Sequence, residues 1–286
     1  VGNSILSYGN LADIGTLTGG ACFPTLPLTN LQNRTLGRKA RFINTDPANT
    51  WLQGDLIKDR LIRVVSLIGH NFGLSATYRV TFSRSSDFAV LVGDSGWREA
   101  WPREYSTKSL AWESPNVWSG KPLDEERQGD TWKAAYILPT PIRARFVRVE
   151  IIDNGAGNAY VQAGRLFIAG GWQPIRNISR DGFAIGWETG TQAQETLAGG
   201  MVFDRKTPRR VVQFVTASMT DDEAFGQAFE IMRRMGTDGE VFWIFDPDDT
   251  RHARRRQIYG HLRKLDRIAY PYIDGHTVPW EVGELI

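Results

Sequence analysis

Four histidines are where bond chemistry would most readily be sought in this 286-residue chain, and their spacing offers none. His70, His252, His261 and His276 stand apart, and no His-Glu-x-x-His zinc pattern links any two of them. No phosphate-cradling Gly-Lys-Ser/Thr loop and no Gly-x-Ser-x-Gly nucleophile turn occurs. Cys22, the single cysteine, has no histidine beside it and sits among glycine and proline, where a bland thiol is expected rather than a nucleophile. With one cysteine no intrachain disulfide can form, so folding in a reducing cytoplasm is expected. The acidic neighbours Asp124, Glu125 and Glu126, and Asp248 with Asp249, fall in polar turns. Glycoside hydrolysis needs two carboxyls held across a cleft, which such neighbours rarely supply. The expectation is a protein without catalysis and without a cofactor.

Aromatic and basic residues point instead to recognition. Trp97, Trp101, Trp112, Trp118 and Trp132 fall within residues 93–133, a long excursion of Gly, Pro, Ser and charged residues. Loops of that length inside a domain are more often functional than accidental. An exposed indole can stack on the apolar face of a sugar, or it can pack against another subunit. Trp97, Trp101, Trp112 and Trp118 are the candidates for glycan or subunit contact, and subunit packing is the favoured role. Trp51 and Trp243, inside apolar strands, are expected in the core. From Arg251 to Arg267 seven Lys or Arg residues stand against one acid, Asp266. Arg251, Arg254, Arg255 and Arg256 are read as an ionic contact to a neighbouring subunit rather than a nucleic-acid site, since acids precede them directly and the net charge is only +2. No apolar run approaches the roughly 20 residues of a membrane span, so no insertion is expected.

These side chains need a scaffold, and the hydropathy pattern describes one. Residues 1–34 are rich in Gly, Thr, Asn and Pro and read as an extended arm whose apolar side chains would dock on a neighbouring chain. Residues 35–170 alternate apolar and polar side chains in strand periodicity, above all at 51–56, 62–68, 78–83 and 144–151. Gly170-Gly171 opens a second region, 171–286, with strands at 201–203, 210–215, 241–245 and 257–262 and one helix over about 220–235. Thr220 and Glu223 form a capping box at the start of that helix. Phe225, Ala228, Met232 and Met235 mark its expected core face, and Gly236 its end. The expected class is mainly β.

Thr50-Trp51 leading into Leu52-Gln53-Gly54-Asp55-Leu56, then Leu67-Ile68-Gly69-His70-Asn71, then Arg145-Phe146-Val147-Arg148-Val149 occur in the order of a known family. Residues 35–170 resemble the discoidin, galactose-binding-like jelly roll. That resemblance implies a β-sandwich that presents loops to a partner, often with calcium near the Thr-Trp strand. Here Asn44 stands where an acid is common, and Val161–Gly164 has no carboxylate, so no metal is expected. The second half has a helix opening Thr220-Asp221-Asp222-Glu223-Ala224, a Val241-Phe242-Trp243-Ile244-Phe245-Asp246-Pro247 hairpin, Gly260-His261-Leu262 and a terminal Trp280-Glu281-Val282-Gly283-Glu284. This order resembles tail-tip and distal-tail proteins of long-tailed bacteriophages. The resemblance implies a virion component assembled in the bacterial host cytoplasm, joining the tail tube to the host-recognition apparatus. Its partners would be other tail proteins, copies of itself in a ring, and a host cell-surface glycan. The alternative is a carbohydrate-binding module protein.

Overall fold

The computed structural model describes residues 2–127, 129, 131–155, 157–197, 199–272 and 275–286. Its strands begin with β1 (Ile5–Tyr8), β2 (Thr16–Gly19), β3 (Ala40–Arg41), β4 (Trp51–Ile68) and β5 (Thr77–Ser83). Next come β6 (Leu91–Asp94), β7 (Arg98–Glu99), β8 (Lys133–Ile152), β9 (Gln162–Ala163) and β10 (Arg165–Ala169). After β11 (Ala184–Glu188), β12 (Gln192–Glu195), β13 (Met201–Asp204) and β14 (Arg209–Met219) comes the helix, 221–235. The chain ends with β15 (Glu240–Ile244), β16 (Gln257–Leu262), β17 (Ala269–Tyr272) and β18 (Gly275–Glu284). The class is mainly β, with antiparallel sheets and, among the described residues, one helix longer than five residues. Two compact units share the chain. Ser7–Trp172 with Gly2 and Asp246–Arg256 forms the first, and Asn3–Leu6, Gln173–Phe245 and Gln257–Ile286 form the second.

In the first unit the order β10-β4-β8-β5-β6 makes a sheet, extended by β2 on β4 and β7 on β5. Its spine is the β4–β8 pair. Trp51–Asp55 faces Phe146–Glu150, and Val64–Ile68 faces Lys133–Ile137, with register shifts between Asp55 and Arg60 and between Ile62 and Val64. Inward residues change parity along each strand, from Leu52 and Leu56 to Val65 and Leu67, and from Tyr136 and Leu138 to Val147, Val149 and Ile151. A one-residue slip would expose the apolar set, and the bulges absorb that change by bending the pair. Both halves therefore line one core, with Tyr78, Val80 and Phe82 of β5. At the bend Ile57 holds φ at 69°, a left-handed value costly for a β-branched residue. The Asp55 carboxylate fixes it, accepting from the Ile57 amide at 2.8 Å and from two Arg145 nitrogens at 2.8 Å each.

The first 34 residues are not a free arm. β2 pairs with β4, and Ala12 and Leu31 lie in the core. Asn10 acts like a strand residue against the edge of β10: its Nδ2 donates to the Leu166 carbonyl, and its Oδ1 accepts from the Ile168 amide. Arg165, fully buried, donates to the Leu31 carbonyl and to Asp13 Oδ2 at 2.7 Å. Ile5 and Leu6 are buried, with β1 beside β15 in the second unit. The segment is thus packed on its own chain through Ile5, Leu6, Ala12 and Leu31 rather than extended, while Ile14 and Phe23 stay exposed.

The second unit carries a sheet ordered β1-β15-β16-β18-β14-β11. The Thr220–Glu223 capping box forms in both directions, and Gly236 takes φ 55° at the helix end. The core face of the helix is Ala224, Ala228, Ile231 and Met232, whereas Phe225 is exposed, contrary to expectation. The apolar stripe is wider than one packing face. The small alanines allow close approach to the sheet, and a π-helical turn at Ala224–Ala228 lies within it.

The Arg251–Arg256 segment makes ionic contacts within its own unit. Within the first unit Arg251 Nε donates to the Glu104 carbonyl at 2.7 Å, and Arg254 Nε to the Glu104 carboxylate at 2.5 Å. Arg255 donates to the Tyr105 hydroxyl at 2.8 Å, and Arg256 pairs with Asp249 at 3.1 Å. Glu104 is buried, so its charge requires the Arg254 and Arg255 guanidinium groups. Arg251, Arg254 and Arg255 thus clamp the excursion of their own chain.

Three measurements follow from this architecture. Ile57→Asn, which tolerates the left-handed region, should raise stability by about 0.5–1 kcal/mol in urea unfolding. A loss would show that the Ile57 side chain contributes more than its strain costs. Arg254→Ala should cost about 3 kcal/mol by stranding the Glu104 carboxylate, and Glu104→Gln in the same chain should recover most of it. Equal costs for the single and double variants would contradict the clamp. Finally, burial pushes the His70 imidazole down to about 3 from 6.5, helped by the Lys39, Lys133 and Arg127 charges. The unfolded chain then binds the extra proton between those values, so stability should fall as pH drops below about 6.5, by up to ~1.4 kcal/mol per pH unit. His70→Asn, keeping an acceptor for the Phe72 amide, should flatten that slope.

Candidate functional site

The excursion leaves and re-enters the sandwich on two indoles packed edge to face. Trp101 is 3% exposed, donates its Nε1 proton to the Phe72 carbonyl at 3.0 Å, and meets Trp132 edge to face at 5.3 Å. His70 completes this base, stacked on Phe72 at 4.0 Å, with its Nδ1 accepting from the Phe72 amide. Trp101 is therefore a core residue, and its assignment as a contact residue is corrected: one indole of the series had to anchor the loop.

Between these anchors the chain is fastened to itself. The Glu104 and Tyr105 amides both donate to the Gly120 carbonyl, and Asn116 Nδ2 donates to the Lys121 carbonyl. Gly120 has φ 61°, and a Cβ there would lie 2.6 Å from the Tyr105 carbonyl oxygen, so the close approach requires glycine. Arg103 donates to the carbonyls of Trp118 and Ser119, and the Tyr105 hydroxyl donates to Glu126. With the arginine clamp behind it, this loop holds a defined shape.

That shape exposes two large apolar side chains. Trp112 and Trp118 are 75% and 71% exposed, their rings 5.1 Å apart and 73° to one another. Contiguous apolar surface on an ordered loop marks a binding site more often than not. The two perpendicular indoles form a corner: one offers its face for stacking while the other presents an edge. Trp97 is also exposed, on the β6–β7 turn. Trp51 is half-buried, with the Arg148 guanidinium 5.2 Å from its ring, and Trp243 is fully buried.

The groups suited to bond chemistry are placed otherwise. Burial pushes the Cys22 thiol up to about 11, which removes the thiolate a nucleophile needs. His276 Nε2 lies 2.6 Å from Asp221 Oδ1, but among the described residues no hydroxyl or thiol reaches its buried Nδ1. Asp46 accepts from the Ala48 amide and Asn44 from the Asp46 amide, so the turn before Trp51 is closed by its own backbone. Among the described residues no three His, Cys, Asp or Glu side chains gather as metal ligands, and no helix is long and apolar enough to cross a membrane.

Sequence reasoning singled out the four tryptophans but could not separate Trp101 from Trp112 and Trp118. It missed Glu104 and Arg103, whose only signal was an acid and a base next to Trp101-Pro102.

No family model and no curated protein matches the chain. Among solved structures it is similar to a chitosan-binding module 1 from a chitosanase/glucanase of Paenibacillus sp. IK-5. That likeness has 14% identity and TM-score 0.36, covering 57% of this chain and 99% of the module. It is also similar to the family 32 carbohydrate-binding module of Clostridium perfringens NanJ, solved with galactose, at 11% identity and TM-score 0.37, over 57% of this chain and 98% of that one. A third is the lectin-binding domain of Lectinolysin, a His 62 mutant in complex with Lewis b, at 14% identity and TM-score 0.37, over 57% and 96%.

Proposed function

We propose that this chain is a glycan-recognition protein that binds without catalysis, and that the Trp112–Trp118 corner is its sugar platform. One observation carries the reading: two indoles are exposed on a loop whose backbone is fixed by Gly120, Arg103 and the Glu104 clamp. An unfixed loop would lose conformational entropy on binding, whereas a preformed platform loses little. The sequence resemblance of residues 35–170 to the galactose-binding-like jelly roll points the same way.

A structural role in a bacteriophage tail tip, with virion localisation, is the second reading. It is favoured by the sequence order of the second unit and by Met201, Val202 and Phe203 of β13, which its own chain leaves exposed.

Binding to a panel of neutral and acidic cell-surface oligosaccharides, followed by calorimetry, tests the first reading. Trp112→Ala and Trp118→Ala should each weaken binding by about tenfold or more, with unchanged thermal unfolding because both rings are exposed. Trp97→Ala should leave affinity unchanged. Failure of the wild-type chain to bind any member of the panel, or binding indifferent to both substitutions, would overturn the platform and leave the tail-tip reading in front.

A further inference from the structure

A guanidinium group presents its N–H donors along a side edge, Nε with Nη2, and an end edge, Nη1 with Nη2, and each edge fits a pair of oxygens. In Arg103 the side edge is already used. Nε donates to the Ser119 carbonyl at 3.0 Å, and Nη2 donates to the Trp118 carbonyl at 2.7 Å. The end edge has no acceptor among the described residues, and no carboxylate among them pairs with Arg103. Arg103 is itself exposed, so a ligand can reach that edge.

The two backbone bonds do more than hold the loop. They fix the plane of the guanidinium and tie it to the residue whose indole is 71% exposed, so a charged fork stands ready beside the platform. The other charges between Arg103 and Lys121 are differently placed. Glu104 is buried and neutralised by Arg254 and Arg255, and Lys121 pairs with Glu99 at 3.3 Å. Lys108 and Glu113 are exposed, and among the described residues no bond fixes either side chain. Within this stretch of the described chain, Arg103 alone combines a fixed position with a charge that is not neutralised.

We infer that the sugar taken by the Trp112–Trp118 platform is an acidic one, its carboxylate received end-on by Nη1 and Nη2 of Arg103 while its ring lies on an indole. The inference rests on the platform reading and names its ligand class. Hydrogen bonds between guanidinium and carboxylate are roughly twice as strong as neutral ones, and the planar fork adds geometric selection. A single guanidinium matches the single charge of a uronic or sialic acid. A phosphate ester brings about −1.5 to −2 at neutral pH and would leave part of its charge unmet.

Calorimetry of the full chain with glycosides of galacturonic, glucuronic and N-acetylneuraminic acids, each beside its own methyl ester, tests the assignment. At least one acid should bind, its ester should bind about tenfold more weakly or worse, and added salt should narrow that ratio. Arg103→Gln should bring the acid-to-ester ratio close to one. A purely structural Arg103 would not move this ratio, because a loosened loop weakens acid and ester alike. Should the glutamine variant fail to fold, Arg103→Lys keeps the charge without the fork and should also lower the ratio. Equal binding of acid and ester, an unchanged ratio in the Arg103 variant, or preference for galactose 6-phosphate over every acid overturns the inference. In each of those cases the platform itself still stands if neutral sugars bind through Trp112 and Trp118. Absence of binding to every sugar, neutral and acidic, overturns the platform and the inference together.

Discussion

The buried guanidinium of Arg165 is the constraint on which the first unit depends. An arginine with no exposed surface must have its charge and donors met inside the protein, since leaving them unmet costs several kcal/mol. Asp13 meets the charge and the Leu31 carbonyl accepts from Nη1, and both belong to the opening segment of the chain. Placing Arg165 on the edge strand β10 therefore obliges residues 10–32 to fold against the sandwich. Asn10 then caps that edge, and Gln32 Nε2 joins the carbonyls of Ala12 and Gly15. An edge strand that would otherwise show unpaired backbone to solvent is closed by side chains rather than by another strand.

The same logic recurs at the excursion. Glu104 is a buried carboxylate, and the arginines of the Asp246–Arg256 segment neutralise it. Buried ion pairs contribute little net stability, but each is demanding about geometry. That demand suits a binding loop. It fixes the path of the chain on both sides of Trp112 and Trp118 without covering them, so rigidity and exposure coexist in one segment. Trp101 and Trp132 supply the apolar half of the same fixation, closing the base of the loop over His70 and Phe72. The proposed sugar platform thus rests on charges and rings that never touch a ligand.

Local patterns made much of this legible. Alternation at Leu52, Leu56, Val147, Val149 and Ile151 announces strands with one buried face, because a strand repeats its side every second residue. Thr220 and Glu223 announce the start of the helix because both partners of the capping box lie within four residues. Trp243, flanked by Val241, Phe242, Ile244 and Phe245, had to be buried in any compact arrangement. None of these readings needs a partner distant in sequence.

What the sequence alone could not decide involves exactly such distant partners or a choice among equivalent faces. Trp101 and Trp112 have similar local surroundings, yet one donates to Phe72 inside the core and the other faces solvent. The opening segment has the composition of a free arm, and partners distant in sequence, β4 and Arg165 among them, bind it down. Arg254 reads as surface charge until Glu104, 150 residues earlier, is placed beside it. On the helix both the Ala224–Ala228 side and the Phe225–Phe229 side repeat at helical spacing, and close approach to the sheet selects the smaller residues for burial. The sequence by itself determined the periodicities, the cap and the mainly β class, which depend on neighbours a few residues apart. The tertiary structure alone decided which aromatic rings and which charges are left for a partner, because that depends on which groups the fold has already paired.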